Sequence, residues 1–516
     1  MTGMMRSWKS LAVSALLLLA AWPGCSGRVP PEDANVIIIL VDTLRRDRLG
    51  AHGYLKDVSP YMDLLADEGF CFRRAVAPCS WTKPSVASLL TGLYPGQHGA
   101  LGDHVVLKNM AFLDTKFTTL AERMKRAGYR TGAFVTNANI ISRYHFDQGF
   151  DNFTQPAGDA KELFGKASRW IKKHGEKGKF FLYLHLIDPH EPYLPPPEYQ
   201  ERFVHGEPGE KAPFTEHGRP KEIVEWLEQY TRRKAGTEGG KFEFDYEPLL
   251  GELKERLSDI LPDVTREKIR SYIDVNFRSL EDPELLRRAE YLTALYDGEV
   301  SYTDDAIRDF VTELKHDDVL DETVLVVTSD HGEAFLEHNR WGHRQYVHAE
   351  EIDIPLIFRI PGPDGIPLKG EIDDYVSLVD LYPTLLDMLD LPAPGNVDGI
   401  SLWPVMQGGG GTMLANRPVF CESTFEDGDH VSAMMGKSKV IRSAGKNSVR
   451  WIYYDLEKDP GENEPLDPTR AGEEARALMQ SVESLLNRRK LDFNKKVEIG
   501  TPSDEEIEQL QELGYL

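Results

Sequence analysis

Cysteine is scarce in this chain, with four in 516 residues. Cys25 belongs to the N-terminal segment, and Cys71, Cys79 and Cys421 are too few for a disulfide framework. They read as small buried or free thiols, although an oxidising compartment would permit a Cys71–Cys79 bridge. Long basic runs are missing as well, and the formal net charge is −24. That argues against nucleic acid as a partner, because such binding neutralises phosphates with Lys and Arg. Acidity alone does not point to a substrate, since solvated acidic surface is its common source. The N-terminal apolar run, "SLAVSALLLLAAWPGCSG" (10–27), is short for a membrane span and stops at Pro23. With Arg6 and Lys9 before it, residues 1–27 read as an export signal, so a periplasmic or cell-envelope location is expected. Cys25 directly after Gly24 is the residue that bacterial lipoprotein processing would lipid-modify, which would anchor the chain to a membrane. Plain secretion and an uncleaved anchor are the alternatives.

What remains is the composition of a globular protein, 41% hydrophobic and 28% charged. Its length predicts one large domain with a smaller one. "NVIIILVD" (35–42) is a continuous apolar run, the signature of a strand covered on both faces. Similar runs recur at "RTGAFVTN" (130–137), "FFLYLHLID" (180–188), "TVLVVTSD" (323–330) and "IPLIFRI" (354–360). Helical patterns such as "FTTLAERMKRAG" (117–128), closed by Gly128, lie between them. The alternation predicts a doubly wound α/β fold with a mostly parallel sheet over 34–407. Three of the runs end in Asp, where ligand sites of such sheets form. Residues 201–285 are charged and helical and read as an insertion. After "GGGG" (408–411), residues 415–516 carry short strand-like pieces and then helices, a small subdomain with an antiparallel sheet.

The chemistry concentrates at "TSDHGEAFLEHNRWGHRQYVH" (328–348). A strand running into Asp330, His331 and Gly332 delivers a carboxylate and an imidazole to one point, and both are ligand types for a divalent cation. Asp42 ends another strand, and Thr82 stands in "SWTKPSVASLLTG" (80–92) just before Pro84, at the start of a predicted helix. By itself Thr82 reads equally as an N-cap.

Taken together, "VIIILVDTLRRDRLG", "SWTKPSVASLLTGLYPGQHG", "GYRTGAFVTNANI", "FFLYLHLIDPHEPYLPP", "VTSDHGEAFLEH" and "IDIPLIFRIPG" occur in an order that resembles the sulfatase family of the alkaline phosphatase superfamily. The resemblance implies that Thr82 occupies the nucleophile slot of a C/S-x-P-S-R motif, with Cys79 three residues too early. It implies one divalent ion, Zn, Mn, Ca or Mg, held by Asp42, Thr82, Asp330 and His331. His190 and His343 match histidines that contact substrate or protonate the leaving group, and His185 and Lys83 are candidate substrate contacts. Two departures stand out. Sulfatases convert Cys or Ser to formylglycine, whereas threonine would act as an unmodified hydroxyl, and Val86 replaces the motif's Arg. The expected activity is therefore hydrolysis or transfer at phosphate, phosphonate or sulfate esters of a small molecule, glycan or lipid headgroup. A true sulfatase and a non-catalytic, lipid-anchored binding relative are the alternatives.

Overall fold

The computed structural model describes residues 34–101, 112–204 and 283–489, apart from 157, 345, 363–365, 411, 426–427 and 446–447. The expected export signal with Cys25, nearly all of the 201–285 insertion and the part of the C-terminal subdomain from 490 on lie outside the described residues.

The strands are β1 (Asn35–Val41), β2 (Phe70–Val76), β3 (Arg130–Val135), β4 (Asn152–Thr154), β5 (Phe180–Leu186), β6 (Thr323–Thr328), β7 (Ala334–Phe335), β8 (Trp341–Gly342), β9 (Asp353–Ile354), β10 (Leu356–Arg359), β11 (Gly370–Ser377), β12 (Val419–Phe425), β13 (Gly428–Met435), β14 (Ser438–Ala444) and β15 (Val449–Asp455). The main sheet runs β11-β2-β10-β6-β1-β5-β3-β4, with β9 beside β2. β1 pairs in parallel with β5 and β6, at the centre. Side chains alternate across a strand, so Val36, Ile38 and Leu40 enter one apolar layer while Ile37, Ile39 and Val41 enter the other. Burial on both faces is why the run could be continuously apolar.

β10 departs from the parallel expectation: it runs antiparallel to both β6 and β2. A parallel strand needs a crossover that carries the chain back to the starting edge. Among the described residues between β6 and β10 there are only the β7–β8 hairpin, the short helix Ala349–Ile352 and β9. The chain therefore re-enters the sheet from the end at which it left.

Helix Leu120–Arg126 forms where its pattern predicts, fixed by a capping box between Thr119 and Glu122. Gly128 follows with φ +88°, a conformation that costs glycine little. The long helix Pro283–His316 lends Asp304 to the backbone N–H groups of Tyr61 and Met62, in the first turn of helix Pro60–Glu68. β12–β15 make the expected antiparallel sheet, covered by helix Glu473–Asn487 through Ala475, Leu478, Val482 and Leu485. No helix among the described residues is long and apolar enough to cross a membrane.

Candidate active site

Parallel strands deliver their carboxyl ends to one edge, and here the register is exact enough to set the neighbours. Leu40 of β1 lies opposite His185 of β5 and Thr328 of β6. Asp42 and Asp330 thus leave adjacent strands side by side. The bend after β1 puts Thr43 at φ +55°. After β6 the turn is held by Ser329, whose Oγ donates to the His331 carbonyl and accepts from Leu44 N–H. Arg45 bridges the two loops, donating to Asp47, to Glu337 and to the Glu333 carbonyl.

Helix Thr82–Thr91 supplies the third element. Trp81 is its N-cap, and Thr82 occupies the first turn without capping. Its Oγ1 lies 3.2 Å from His331 Nε2. Ser85 Oγ ties the same turn to the Asp330 carbonyl at 2.6 Å. The N-cap alternative for Thr82 is thereby set aside. All ten residues of the helix are buried, Val86 among the core side chains.

His331 Nδ1 faces the Gly332 carbonyl at 2.9 Å, so this nitrogen carries the proton and Nε2 presents its lone pair. That lone pair lies 3.6 Å from Asp42 Oδ1 and 3.4 Å from Asp330 Oδ2. Both of those oxygens are buried without a hydrogen-bond partner among the described residues. Two orphaned carboxylate oxygens and an imidazole lone pair converging on one point suit a divalent cation. Burial pushes the Asp42 carboxyl up, but the His185 hydrogen bond and the electrostatic influence of the neighbouring His190, His185 and His331 outweigh it and hold it at about 2. Asp330 is pushed up by burial and by the Asp42 charge beside it.

His185 proves to stand behind Asp42. It is fully buried, with Nε2 3.1 Å from Asp42 Oδ2 and Nδ1 3.0 Å from the Tyr183 hydroxyl. Both nitrogens are thus engaged, which corrects the expected substrate contact to a supporting one. Lys83 is buried too, its Nζ 3.7 Å from the centre of the Tyr144 ring, and burial lowers its pKa to about 7. It stacks rather than replacing the missing Arg beside Thr82. His190 and His343 do come to the site. Their rings lie 5.1 Å apart, and His343 is 4.3 Å from His331. His190 donates from Nδ1 to the Glu191 carbonyl, and burial lowers its pKa. His343 donates from Nδ1 to Glu333 Oε1 at 3.0 Å.

Asn137 was not foreseen. It follows β3 at the same sheet edge, and its Nδ2 donates to Asp42 Oδ2 at 2.5 Å and approaches Thr82 Oγ1 at 3.5 Å. The strand-end position that singles out Asp42 also marks Asn137, but an Asn after a strand reads as turn chemistry. Cys79 is fully buried, its thiol pushed up by burial and near the Glu422 charge on the C-terminal sheet. His98 supports its loop, donating to Ser88 Oγ and accepting from Ala100 N–H.

The sheet, the helix start and the cluster at their junction define an ester hydrolase of the alkaline phosphatase type. The sulfatase family model matches residues 34–391, and the C-terminal model of N-sulphoglucosamine sulphohydrolase matches 337–490. The chain belongs to the sulfatase family. It is 27% identical over 458 residues to an arylsulfatase of Clostridium perfringens, covering 83% of this chain and 89% of that one. It is 24% identical to an N-acetylglucosamine-6-O-sulfatase of Bacteroides thetaiotaomicron, covering 92% and 91%. In fold it is similar to the phosphonate monoester hydrolase of Agrobacterium radiobacter, with a TM-score of 0.62 and 21% identity over 88% of this chain and 95% of that one. Enzymes of this family use a divalent metal.

Proposed function

We propose that the chain cleaves phosphate, phosphonate or sulfate esters by attack of the unmodified Thr82 hydroxyl. The observation that carries this reading is the 3.2 Å approach of Thr82 Oγ1 to His331 Nε2, between Asp42 and Asp330 at a helix N-terminus. Formylglycine is made from Cys or Ser, and position 82 holds neither. Asp42, Thr82, Asp330 and His331 would hold the divalent ion. Bound there, it would supply Lewis acidity that lowers the pKa of an oxygen nucleophile and offsets charge on the ester.

Thr82 is held by its hydrogen bond to His331, and the Asn137 amide fixes the rear of Asp42. Free N–H groups of the helix first turn favour an anionic group in front of Thr82. His343, with Nδ1–H on the Glu333 carboxylate, has Nε2 as the atom that gives or takes a proton at the leaving group. His190 packs edge-on to it and orients the ester. The substrate is a small molecule, a glycan or a lipid headgroup. The sulfuric-ester reading is favoured by the arylsulfatase relative, the phosphonate reading by Thr82. Export and lipid attachment at Cys25 complete the proposal on the strength of the N-terminal sequence.

The test compares the metal-supplemented protein with Thr82→Ala and Thr82→Ser on matched aryl sulfate, phosphate monoester, phosphodiester and phosphonate esters. Thr82→Ala should lose about 10⁴-fold or more in kcat, as nucleophile removal does. Thr82→Ser should keep activity within about tenfold, because it retains the hydroxyl. Activity that survives in Thr82→Ala would overturn the mechanism and make water the attacking group.

A further inference from the structure

A second cluster lies apart from the Asp42 and Asp330 site, where the turn of the β7–β8 hairpin and the segment after it meet the C-terminal sheet. His338 stands in the turn of that hairpin, where Leu336 takes φ +79° and His338 itself φ +51°. Its ring stacks on His348, centroids 4.0 Å apart with 22° between the planes. His338 Nδ1 donates to Glu350 Oε1 at 2.7 Å and Nε2 donates to the Glu462 carbonyl at 2.9 Å. His348 is the N-cap residue of helix Ala349–Ile352, yet its side chain does not cap. Its Nδ1 is buried without a hydrogen-bond partner among the described residues.

We propose that His338, His348 and Glu350 form a second divalent-metal site, one that takes a borderline ion such as Zn²⁺ and clips the 337–350 segment in place. One donor atom from each of the three residues falls within 4.8 Å of the others, and an ion would draw the two stacked rings to turn toward one point. The set, two imidazoles and a carboxylate, is that of nitrogen-rich zinc sites rather than of Ca²⁺ or Mg²⁺ sites. An orphaned imidazole nitrogen is costly as a buried polar atom and useful as a ligand. The bond from His338 Nε2–H to a backbone carbonyl is the support that ligating histidines usually have. It leaves Nδ1 to face an ion once its proton has passed to solvent, and the Glu350 carboxylate would then exchange its hydrogen bond from His338 for the metal. A plain His338–Glu350 ion pair accounts for one contact of this cluster and leaves His348 unexplained.

Zn²⁺ stoichiometry after loading and gel filtration of the full chain tests the site, with Asp330→Asn, His348→Gln and Glu350→Gln alongside. The expected result is two ions in the parent and one in each variant, with the ion kept by Asp330→Asn lost in the Asp330→Asn/His348→Gln double variant. Co²⁺ loaded into Asp330→Asn should give visible d–d bands that disappear in the double variant. Zn²⁺ should also raise the thermal midpoint of Asp330→Asn and not of the double variant. Equal stoichiometry in the parent and His348→Gln would overturn the second site. Equal stoichiometry in the parent and Asp330→Asn would count against the first site alone, so the two failures are distinct.

Discussion

The contact between His185 and Asp42 yields a prediction that separates a positioning residue from a substrate contact. His185 Nε2–H donates to a fully buried carboxylate, and Tyr183 O–H donates to His185 Nδ1. Replacing His185 by Leu leaves Asp42 Oδ2 with Asn137 as its donor and strands the Tyr183 hydroxyl. A hydrogen bond to a charged group is worth about 1.5–3 kcal/mol, and an orphaned buried hydroxyl costs about 1–3 kcal/mol. His185→Leu should therefore lose about 3–5 kcal/mol of stability, the two terms being only partly additive. His185→Gln, which keeps an N–H donor, should lose less.

For the metal the same change removes the support of a ligand, which typically weakens affinity about 10–100-fold. The assay is competition binding of Zn²⁺ in a His348→Gln background, so that only the Asp42 and Asp330 site is read, beside kcat and KM over a metal titration. Affinity should fall in the order parent, His185→Gln, His185→Leu. Excess metal should restore kcat in His185→Gln with KM little changed. Unchanged metal affinity with a raised KM at saturating metal would refute this reasoning and return His185 to the substrate.

Other outcomes follow from the same geometry. A Cβ on Gly332 would meet the Glu350 carbonyl oxygen at 2.1 Å, a backbone atom that no rotamer change can move, so Gly332→Ala should displace His331 and the following hairpin. Circular dichroism melting should show a loss of several kcal/mol, on the order of 3 or more, with activity falling alongside. Lys439 and Glu462 pair at 2.6 Å with both side chains at 2% exposure, so Lys439→Met should cost about 3–5 kcal/mol in denaturant unfolding. Burial already pushes Glu462 up to about 7 against the Lys439 charge, so that cost should be larger at pH 8 than at pH 6, where the lone Glu462 can protonate. In metal-free protein, burial lowers the His338 pKa but the Glu350 hydrogen bond and charge outweigh it, raising it to about 8. Its contribution is thus full below the ordinary value near 6.5 and lost as pH rises through 8, on the order of 2 kcal/mol, and His338→Gln should flatten that part of the stability curve.

Asp42 and Asp330 were legible in the sequence because a continuous apolar run fixes where a buried strand ends, and the end of a parallel strand is where a side chain can leave the core. The small C-terminal sheet was legible for a similar reason, its strand pieces being short and bounded by turn residues. β10 looks like the other buried runs, and its direction depended on the lack of a crossover, a property of the connection and not of the strand. His185 was recognisable as a site residue but not in its role. That role follows from its register opposite Leu40, which puts its ring behind Asp42, and no local pattern carries inter-strand register. Asn137 was hidden by being a common turn residue at an uncommon place.

The loss of the motif's arginine bears on which ester fits. Val86 is fully buried in the apolar core, so the helix at that point faces packing and a guanidinium has no room there. Lys83 lies on Tyr144 with its pKa lowered to about 7, and supplies at most part of a charge. A cation about 5 Å from an ester anion is worth about 3 kcal/mol per unit charge at an effective dielectric near 20. Without it a dianionic phosphate monoester loses about twice what a monoanion loses, a difference of about 3 kcal/mol, or about 100-fold. Phosphodiesters, phosphonate monoesters and sulfate esters are monoanions near neutrality, and these should be the better substrates. A phosphate monoester becomes a monoanion below its second pKa near 6. The ratio of phosphate monoester to phosphodiester kcat/KM should therefore climb as pH falls from 7.5 to about 5, because titration of groups that act on both esters alike cancels in the ratio and any charge gained by Lys83 acts in the same direction. A ratio that stays flat or drops over that range would mean that a cation outside the described residues reaches the substrate, and the preference for monoanions would fall with it.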